Sequence, residues 1–258
     1  MIRGLYTASA GMQVEQIRQD VIANNLANMN TTGFKRDLAV LEAREKMRIK
    51  RTQDPVSGDP LAPTRRTPIG ELGAGVLVNT ISKRFEAGNM RETSEPLDMA
   101  IEGDGFFTLQ EADGDKLYTR AGDFARNGAG QLIDKSGRLV LGQNGPISLR
   151  DGVSFTVMRD GAVMVNGTAV DRLALARFDN PDADLEKVGD TAFRFRGAGE
   201  PPASTAEVHQ GVLEGSNVNS LREMVEMIAA LRHYEANQRA LQAEDETLGK
   251  AVNEVARA

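Results

Sequence analysis

The chain contains no cysteine and no tryptophan, and aromatic residues make up only 5% of its 258 residues. Without cysteine, a disulfide framework and a thiolate metal site are excluded. No apolar run approaches the length of a membrane-spanning helix, so we expect no membrane insertion. The first ten residues hold one basic residue but no continuous apolar segment. We therefore expect no cleavable Sec signal.

An excess of basic charge is also missing. The formal net charge is −6, and Lys and Arg are scattered except for short groups at residues 46–51 and 65–66. Nucleic-acid-binding domains concentrate basic residues on one face or along one helix. The sequence therefore predicts no nucleic-acid partner.

Patterns that support catalysis or cofactor binding are weak. The two histidines, His209 and His233, share no metal-ligand spacing, and the acidic run at 179–186 lacks the glycine that a calcium loop needs at its sixth position. Gly70–Gly75 lacks the spacing of a dinucleotide fingerprint and the lysine of a P-loop. We expect no enzyme activity, no metal and no cofactor. The alternative is a β-domain hydrolase or ligand-binding module with a helical oligomerisation tail.

The N-terminal segment is predicted to form a helix over residues 2–28. Its narrow apolar stripe comprises Ala10, Val14, Ile17 and Val21, and the asparagine-rich stretch at 24–30 together with Gly33 ends the pattern. Three asparagines in five residues, followed by Thr31-Thr32-Gly33-Phe34, indicate a defined loop with several side-chain-to-backbone bonds.

The C-terminal segment is predicted to form a longer helix, with Ser220 and Glu223 as a capping box. Its apolar seam alternates steps of three and four residues, which is the spacing of a coiled-coil stripe. The seam comprises Met224, Met227, Leu231, Tyr234, Gln238, Leu241, Asp245, Leu248, Val252 and Val255. The polar Gln238 and Asp245 are open to two interpretations, a solvated flank or a control of helix register.

The region between the helices changes character twice. Residues 35–50 are charged and fit either a second helix or an extended arm, and residues 52–75 are rich in proline and glycine, which predicts a linker or long loop. From Val76 onward, Asn-Gly and Asp-Gly turns recur between short apolar runs, which favours antiparallel hairpins. The expected fold is α+β, with a coiled-coil-like pair of terminal helices flanking a mostly antiparallel β domain. Its parts are an axial helix (1–34), an arm (35–75), a β domain (76–215) and a second axial helix (216–258).

Four strings carry a resemblance to a known family. They are Val21–Asn28 followed by Thr32–Lys35, then Leu97–Phe107, Tyr118–Phe124 and Gly211–Val218. Their content and order resemble the bacterial flagellar basal-body rod and hook proteins. The chain's length and single β domain resemble the FlgF and FlgG branches, and Gly215 favours FlgF over FlgG.

The resemblance implies a structural subunit of the flagellar rod that polymerises through its terminal helices and transmits torque. It implies export through the flagellar type III apparatus, a place in the periplasm-spanning rod, and contacts with its own copies and with neighbouring rod proteins. The expected assembly residues are the family signature and the helix seam: Asn24, Asn25, Leu26, Asn28, Gly33, Phe34, Ser216, Asn217, Val218, Met224, Met227, Leu231, Leu241, Leu248 and Val252.

Overall fold

The computed structural model describes residues 2–53, 65–73, 75–149 and 155–255. A long helix stands at each end, and short strands fill most of the chain between them. In chain order the elements are α1 (Ile2–Ala27), β1 (Asp37–Ala43), β2 (Met47–Gln53), β3 (Arg65–Leu72), β4 (Val76–Lys83), β5 (Met90–Glu92), β6 (Met99–Glu102), β7 (Phe106–Gln110), β8 (Lys116–Thr119), β9 (Ala125–Arg126), β10 (Leu132–Ile133), β11 (Leu139–Gly142), β12 (Gly145–Pro146), β13 (Phe155–Val157), β14 (Ala162–Val165), β15 (Thr168–Arg172), β16 (Leu175–Ala176), α2 (Pro181–Asp184), β17 (Leu185–Val188), β18 (Ala192–Phe195), β19 (Glu207–Gln210), β20 (Val212–Glu214) and α3 (Ser220–Val255).

The chain forms two compact units, each built from segments distant in sequence. The first, here called the helix unit, combines Met1–Ala23, Leu38–Ser82 and Met224–Ala258. The second, the β unit, combines Asn24–Asp37 with Lys83–Glu223. The expected α+β composition is therefore present, with both terminal helices formed and a mostly antiparallel β region between them.

In the helix unit, α1 contacts α3 at three places. The residue numbers of these contacts increase along α1 and decrease along α3. The pairs are Gly4 with Glu244, Gly11 with Asn237, and Glu15 with His233. Glycine on α1 permits the close approach, because a Cβ atom on Gly11 would lie 2.8 Å from Asn237 Nδ2. The contacts are therefore antiparallel, and two of the three use glycines of α1.

Residues 35–50 form strands and no second helix, which agrees with the extended alternative, and the described part of residues 52–75 also contains strands. Strand β1 pairs with β4, and β2 pairs with β3 in an antiparallel ribbon with a register shift between Ile49 and Lys50. Residues 54–64 and 74 lie outside the described residues. The strands of the ribbon could not be recognised from the charged, proline-rich sequence. The described ribbon residues are mostly exposed, so they show no alternation of buried and exposed positions.

The β unit contains a nine-stranded sheet in the order β17-β18-β8-β7-β11-β10-β9, with β12 added beside β11 and β16 beside β7. A three-stranded sheet, β13-β14-β15, and two strand pairs, β19-β6 and β20-β5, complete it. The Asn-Gly rule holds at the β14–β15 hairpin. Asn166 and Gly167 both have positive φ, at 52° and 77°, as the predicted tight turn requires.

Adjacent phenylalanines on β7 show how the sheet is covered on both faces. Successive side chains on a strand point to opposite sides. Phe107 therefore joins a large cluster with Met99, Leu109 and Leu117, while Phe106 joins a second cluster of mainly aromatic side chains. Phe107, Leu109 and Leu117 are fully buried. The apolar runs of the sequence thus form the core of the β unit.

The start of α3 differs from the predicted capping box. The Oδ1 atom of Asn219 accepts the backbone N–H of Arg222 at 3.0 Å, so Asn219 and not Ser220 caps the helix. The Glu223 carboxylate does not turn back to the cap. It is fully buried and accepts a 2.6 Å hydrogen bond from Arg36 Nε.

Candidate functional site

The segment after α1 and the segment before α3 meet in the β unit, although they lie at opposite ends of the chain. Phe34 O accepts the backbone N–H of Asn217 at 3.4 Å, and Glu214 O accepts the N–H of Gly33 at 2.8 Å. We call this meeting place the junction. It comprises Asn25 and residues 33–37 on the N-terminal side, and residues 214–217 with Glu223 on the C-terminal side. Most of its side chains are buried.

Asn25 connects both sides of the junction. Its Oδ1 accepts the N–H of Asp37 at 2.9 Å, and its Nδ2 donates to Asp37 O at 2.8 Å. The same Nδ2 lies 3.2 Å from Glu223 Oε2 at the start of α3. With 1% of its surface exposed, Asn25 has its amide oxygen and nitrogen both paired, as burial of an amide demands.

The most deeply buried ionic group of the junction is centred on Glu214, which is 0% exposed. Its Oε1 accepts hydrogen bonds from Lys35 Nζ at 2.6 Å and from Gly88 N at 3.0 Å. Its Oε2 lies 3.5 Å from Arg120 Nη1. Lys35 Nζ also donates to Glu86 O at 2.8 Å. One carboxylate thus joins two cations from distant parts of the chain.

Burial and pairing oppose each other at these cations. Desolvation lowers the pKa of Lys35, and the Coulombic attraction and hydrogen bond of Glu214 raise it in part. Desolvation likewise lowers the pKa of Arg120, against the attraction of Glu214 and Asp104. The Nε atom of Arg120 has no hydrogen-bond partner among the described residues, while its guanidinium carbon lies 5.1 Å from the centre of the Phe106 ring. Removing the central carboxylate would therefore leave two buried charges poorly compensated.

Asn217 and Glu223 complete the junction on the C-terminal side. Asn217 Oδ1 accepts the N–H of Arg36 at 2.8 Å, and its Nδ2 donates to Arg84 O at 2.7 Å. The salt bridge between Arg36 Nε and Glu223 Oε1 measures 2.6 Å. The backbone after α1 is thereby held to the first turn of α3.

Gly33 and Phe34 have separate roles in the junction. Gly33 has φ of +67°, and a Cβ atom there would collide with the backbone of Ala121. A side chain is therefore excluded by conformation and by space. Phe34 is fully buried, with Lys187 Nζ 4.4 Å from the centre of its ring, and Lys187 also bonds to Asp37 Oδ2 at 2.7 Å.

The remaining signature residues shape the adjoining turns. Asn28 Nδ2 donates to Asn24 O at 3.0 Å, and Asn28 Oδ1 accepts from the Thr31 hydroxyl at 3.1 Å. Ser216 Oγ accepts the N–H of Val218 at 3.3 Å. The two Asn28 bonds lie where the defined loop after α1 is predicted, and the Ser216 bond lies in the turn before α3. Leu26 is half-buried in the last turn of that helix.

The predicted seam of α3 divides into two groups. Met227, Tyr234, Leu241 and Leu248 are half-buried, whereas Met224, Leu231 and Val252 are 47%, 46% and 66% exposed. Gln238 and Asp245 are also exposed, which favours the solvated flank over a buried register-setting role. At two of the exposed seam positions, the residue one position earlier is the buried one. Glu223 precedes Met224, and Ala230 precedes Leu231.

Sequence reasoning missed the charged residues of the junction as site residues. Lys35, Arg120 and Glu214 lie inside the quoted strings but resemble surface charges, and Arg36 and Glu223 lie among other charged residues. The signal that could have identified them as site residues was their position next to an asparagine- or glycine-rich segment of the sequence. Their pairing depends on contacts such as Lys35 with Glu214, which join residues 179 positions apart.

Comparison with known proteins gives three matches to family profiles. Residues 5–35 match "Flagella basal body rod protein", residues 100–165 match "Flagellar hook protein FlgE/F/G D1 domain", and residues 209–254 match "Flagellar basal body rod FlgEFG protein C-terminal". The first and third matches contain most of the two sides of the junction.

Relatives match over nearly the whole chain. The flagellar basal-body rod protein FlgG of Buchnera aphidicola subsp. Baizongia pistaciae is 35% identical over 264 residues, covering 97% of this chain and 98% of the relative. The FlgG of Borreliella burgdorferi is 35% identical over 266 residues, covering 98% of each. The chain belongs to the flagellar basal-body rod protein family.

Membership of the rod protein family makes the chain a structural protein and not an enzyme, and nothing supports the hydrolase alternative. The FlgF of Escherichia coli strain K12 is 33% identical over 266 residues, covering 97% of each chain. Since the two FlgG relatives are 35% identical, the expected preference for the FlgF branch has no support. Among the described residues, no helix has the length and apolar character needed to cross a membrane.

Proposed function

We propose that this rod-family chain is a structural subunit of the flagellar basal-body rod and polymerises through α1 and α3. The observation that carries the proposal is an exposed apolar surface on the first turns of α3. It comprises Met224, Val225, Ile228 and Leu231, and we call it the α3 patch. These side chains are 47%, 59%, 52% and 46% exposed. Exposed apolar clusters on a soluble chain mark interaction surfaces.

The second part of the proposal concerns the helices themselves. We infer that α1 and α3 pair as an antiparallel coiled coil, supported by the three contacts that run in opposite directions along them. One side of α3 then serves the pair within the subunit, and the α3 patch serves a neighbouring subunit. A contact between different surfaces of identical copies generates an open filament when its rotation does not close. Residues 1–34 and 216–258 would be the two axial helices, residues 35–75 an arm, and residues 76–215 the β domain.

Between the two branches, we propose that the chain is of the FlgG type. The support is the set of relatives named FlgG that match it over 97–98% of its length at 35% identity. Neighbouring rod proteins and its own copies are the partners that this assignment implies. Export through the flagellar type III apparatus without a Sec signal, to a rod that crosses the periplasm, completes the proposal.

Crosslinking in isolated basal bodies tests the proposal. The natural chain has no cysteine, so a single Met224→Cys substitution provides one thiol. A short crosslinker that is thiol-reactive at one end and photoreactive at the other should then join the chain to its own copies or to adjacent rod proteins. Asp113→Cys, at an exposed turn of the β unit, is the matched control for labelling without helix contact. Absence of the chain from purified basal bodies would overturn the function. Its presence without crosslinks at position 224 would overturn only the role of the α3 patch.

Complementation tests the branch assignment separately. Expression in a host strain that lacks its FlgG should restore swimming, and expression in a strain that lacks its FlgF should not. The reverse result would return the chain to the FlgF branch while leaving its rod function in place.

A further inference from the structure

Three side chains capable of binding a metal converge on the β6–β19 strand pair. Glu207 lies directly opposite Glu102 in the antiparallel register. His209 follows Glu207 by two residues, so both side chains point to the same face of the sheet. The other face belongs to the core, where Ile101 and Val208 are each 1% exposed. One ligand atom from each of the three residues lies within 4.8 Å of the other two.

We propose that Glu102, Glu207 and His209 form a binding site for one divalent transition-metal ion of the zinc type. Metal–nitrogen and metal–oxygen bonds of about 2.0–2.2 Å place the ligands of one ion within about 4 Å of each other. The three ligand atoms, within 4.8 Å of one another, are already near that separation, and Glu102 is free to rotate because its side chain is 69% exposed.

The chemistry of the ligands selects the ion. An imidazole nitrogen with two carboxylates suits Zn²⁺, Ni²⁺ or Cu²⁺, whereas Mg²⁺ and Ca²⁺ favour sites built from oxygen alone. Three protein ligands leave further coordination positions for water, so the ion would be held at the surface. The bound ion would link strands β6 and β19, and we propose no catalytic role for it.

The electrostatics of the strand pair supports a cation at this position. Like charges directly opposite on paired strands destabilise the pair. His209 Nε2 lies 2.7 Å from Glu102 Oε2, a single hydrogen bond that engages one of the two carboxylates. A divalent ion would neutralise both glutamates and would tie β6 to β19, the strand that precedes β20 and Glu214 of the junction.

The chain contains its own control for this proposal, since it has only two histidines. His233 lies on α3 with its Nδ1 atom 3.5 Å from Glu15 Oε1, and its side chain is 64% exposed. Among the described residues, the clusters of three potential ligands do not include it. His233→Gln therefore removes an imidazole without touching the proposed site.

Isothermal titration calorimetry with ZnCl₂ on the metal-stripped full chain tests the inference. We expect one ion per wild-type chain, with binding weakened at least about tenfold by His209→Gln and by Glu102→Gln, and unchanged by His233→Gln. Circular dichroism in EDTA checks that each variant is folded. If titration of the wild type gives no binding heat, or if His209→Gln binds as tightly as the wild type, the proposal is wrong. Loss of binding in His233→Gln instead would place the ion on α3 and would equally overturn it.

Discussion

The β unit and the helix unit bury their apolar residues to very different degrees. In the β unit, Phe107, Leu109, Leu117 and Leu132 are all 0% exposed. In α3 from residue 224 to residue 253, where the structure describes the side chains, Ala230 is the one residue classed as fully buried. The β unit has a core like that of an independent domain, whereas α3 leaves large apolar side chains in solvent.

This contrast shows how one chain divides stability and association between its units. Burial of large apolar side chains is the main favourable term in folding, at roughly 25 cal/mol per Å². The β unit uses this term within the subunit, and α3 leaves apolar side chains exposed for the contact with another surface that we propose. The junction connects the end of α1 to the start of α3 through buried polar groups, which specify one arrangement of the two segments.

The largest effect on stability is expected from Glu214→Ala. Removing one member of a buried ionic group typically costs about 3–5 kcal/mol, because the remaining charges stay buried without compensation. Lys35 and Arg120 would both lose their carboxylate. Urea denaturation followed by circular dichroism should show the loss in the free energy of unfolding.

The matched control for that variant is Glu200→Ala. Glu200 forms a salt bridge with Lys116 at the surface, where its side chain is 78% exposed. Exposed pairs contribute little because water and salt screen them, so no measurable change is expected. Equal losses in the two variants would contradict the view that burial makes the junction sensitive.

Gly33→Ala should produce a smaller but clear loss. A non-glycine residue at positive φ costs about 1–3 kcal/mol when the surroundings hold it there. The new Cβ would also press on the backbone of Ala121. Gly189→Ala is a suitable control, because Gly189 has φ of +71° with open space around its Cβ position. In thermal denaturation, Gly33→Ala should have a lower melting temperature than Gly189→Ala. A reversed ranking would mean that the close approach at Ala121 is unimportant.

The pH dependence of stability should report the burial of Lys35. Its folded-state pKa is lowered by desolvation, so the unfolded chain binds more protons between that lowered pKa and the unfolded value of about 10.4. The free energy of unfolding must therefore rise with pH across this window. Lys35→Met should lack the rise. Denaturation at several alkaline pH values, with wild type and variant compared at each, measures the difference. Parallel curves would show that Lys35 titrates as in the unfolded chain.

Much of the architecture could be predicted because it depends on local pattern. The 3.6-residue period of α1 and α3, the Asn166-Gly167 turn and the apolar runs around Phe107 all appear in consecutive residues. The ribbon β2–β3 was missed because its described strand residues are mostly exposed, so no alternation marks them. The family strings contain most of the junction residues, but neither the meeting of the two segments nor its ionic pairs was predicted, since the partners of Lys35 and Asn25 lie at the other end of the chain.

The helix seam shows a further limit of periodicity. Steps of three and four residues identified a stripe on α3, yet two neighbouring stripes satisfy almost the same spacing. The seam as predicted mixes Leu241 and Leu248, which are half-buried, with Met224 and Leu231, which are exposed. A period fixes the geometry of a face but not the partner that covers it.

Two double variants distinguish the two faces of α3, and the first of them has the smallest expected effect on stability. Met224→Asp with Leu231→Asp changes side chains that are already exposed, so the free energy of unfolding should fall by about 1 kcal/mol or less, mainly from lower helix propensity. Leu241→Asp with Leu248→Asp places carboxylates on the half-buried side, and α3 should lose helical content there. Helical content by circular dichroism and the melting temperature of the β unit are the measurements on the purified chains.

The same two double variants also test, in cells, which face of α3 is needed for flagellar assembly. If the α3 patch contacts a neighbouring subunit, Met224→Asp with Leu231→Asp leaves the subunit folded and exported but the cells non-flagellated. Each new carboxylate would be buried in an apolar contact without a partner, which costs free energy. Every copy along the rod carries the substitution, so this free-energy cost recurs at each subunit contact. Met224→Leu with Leu231→Met keeps the patch apolar and should retain flagella. Normal swimming by the aspartate variant would remove the α3 patch from the assembly surface. In that case, loss of flagella in Leu241→Asp with Leu248→Asp alone would assign assembly to the side of α3 that the subunit partly covers.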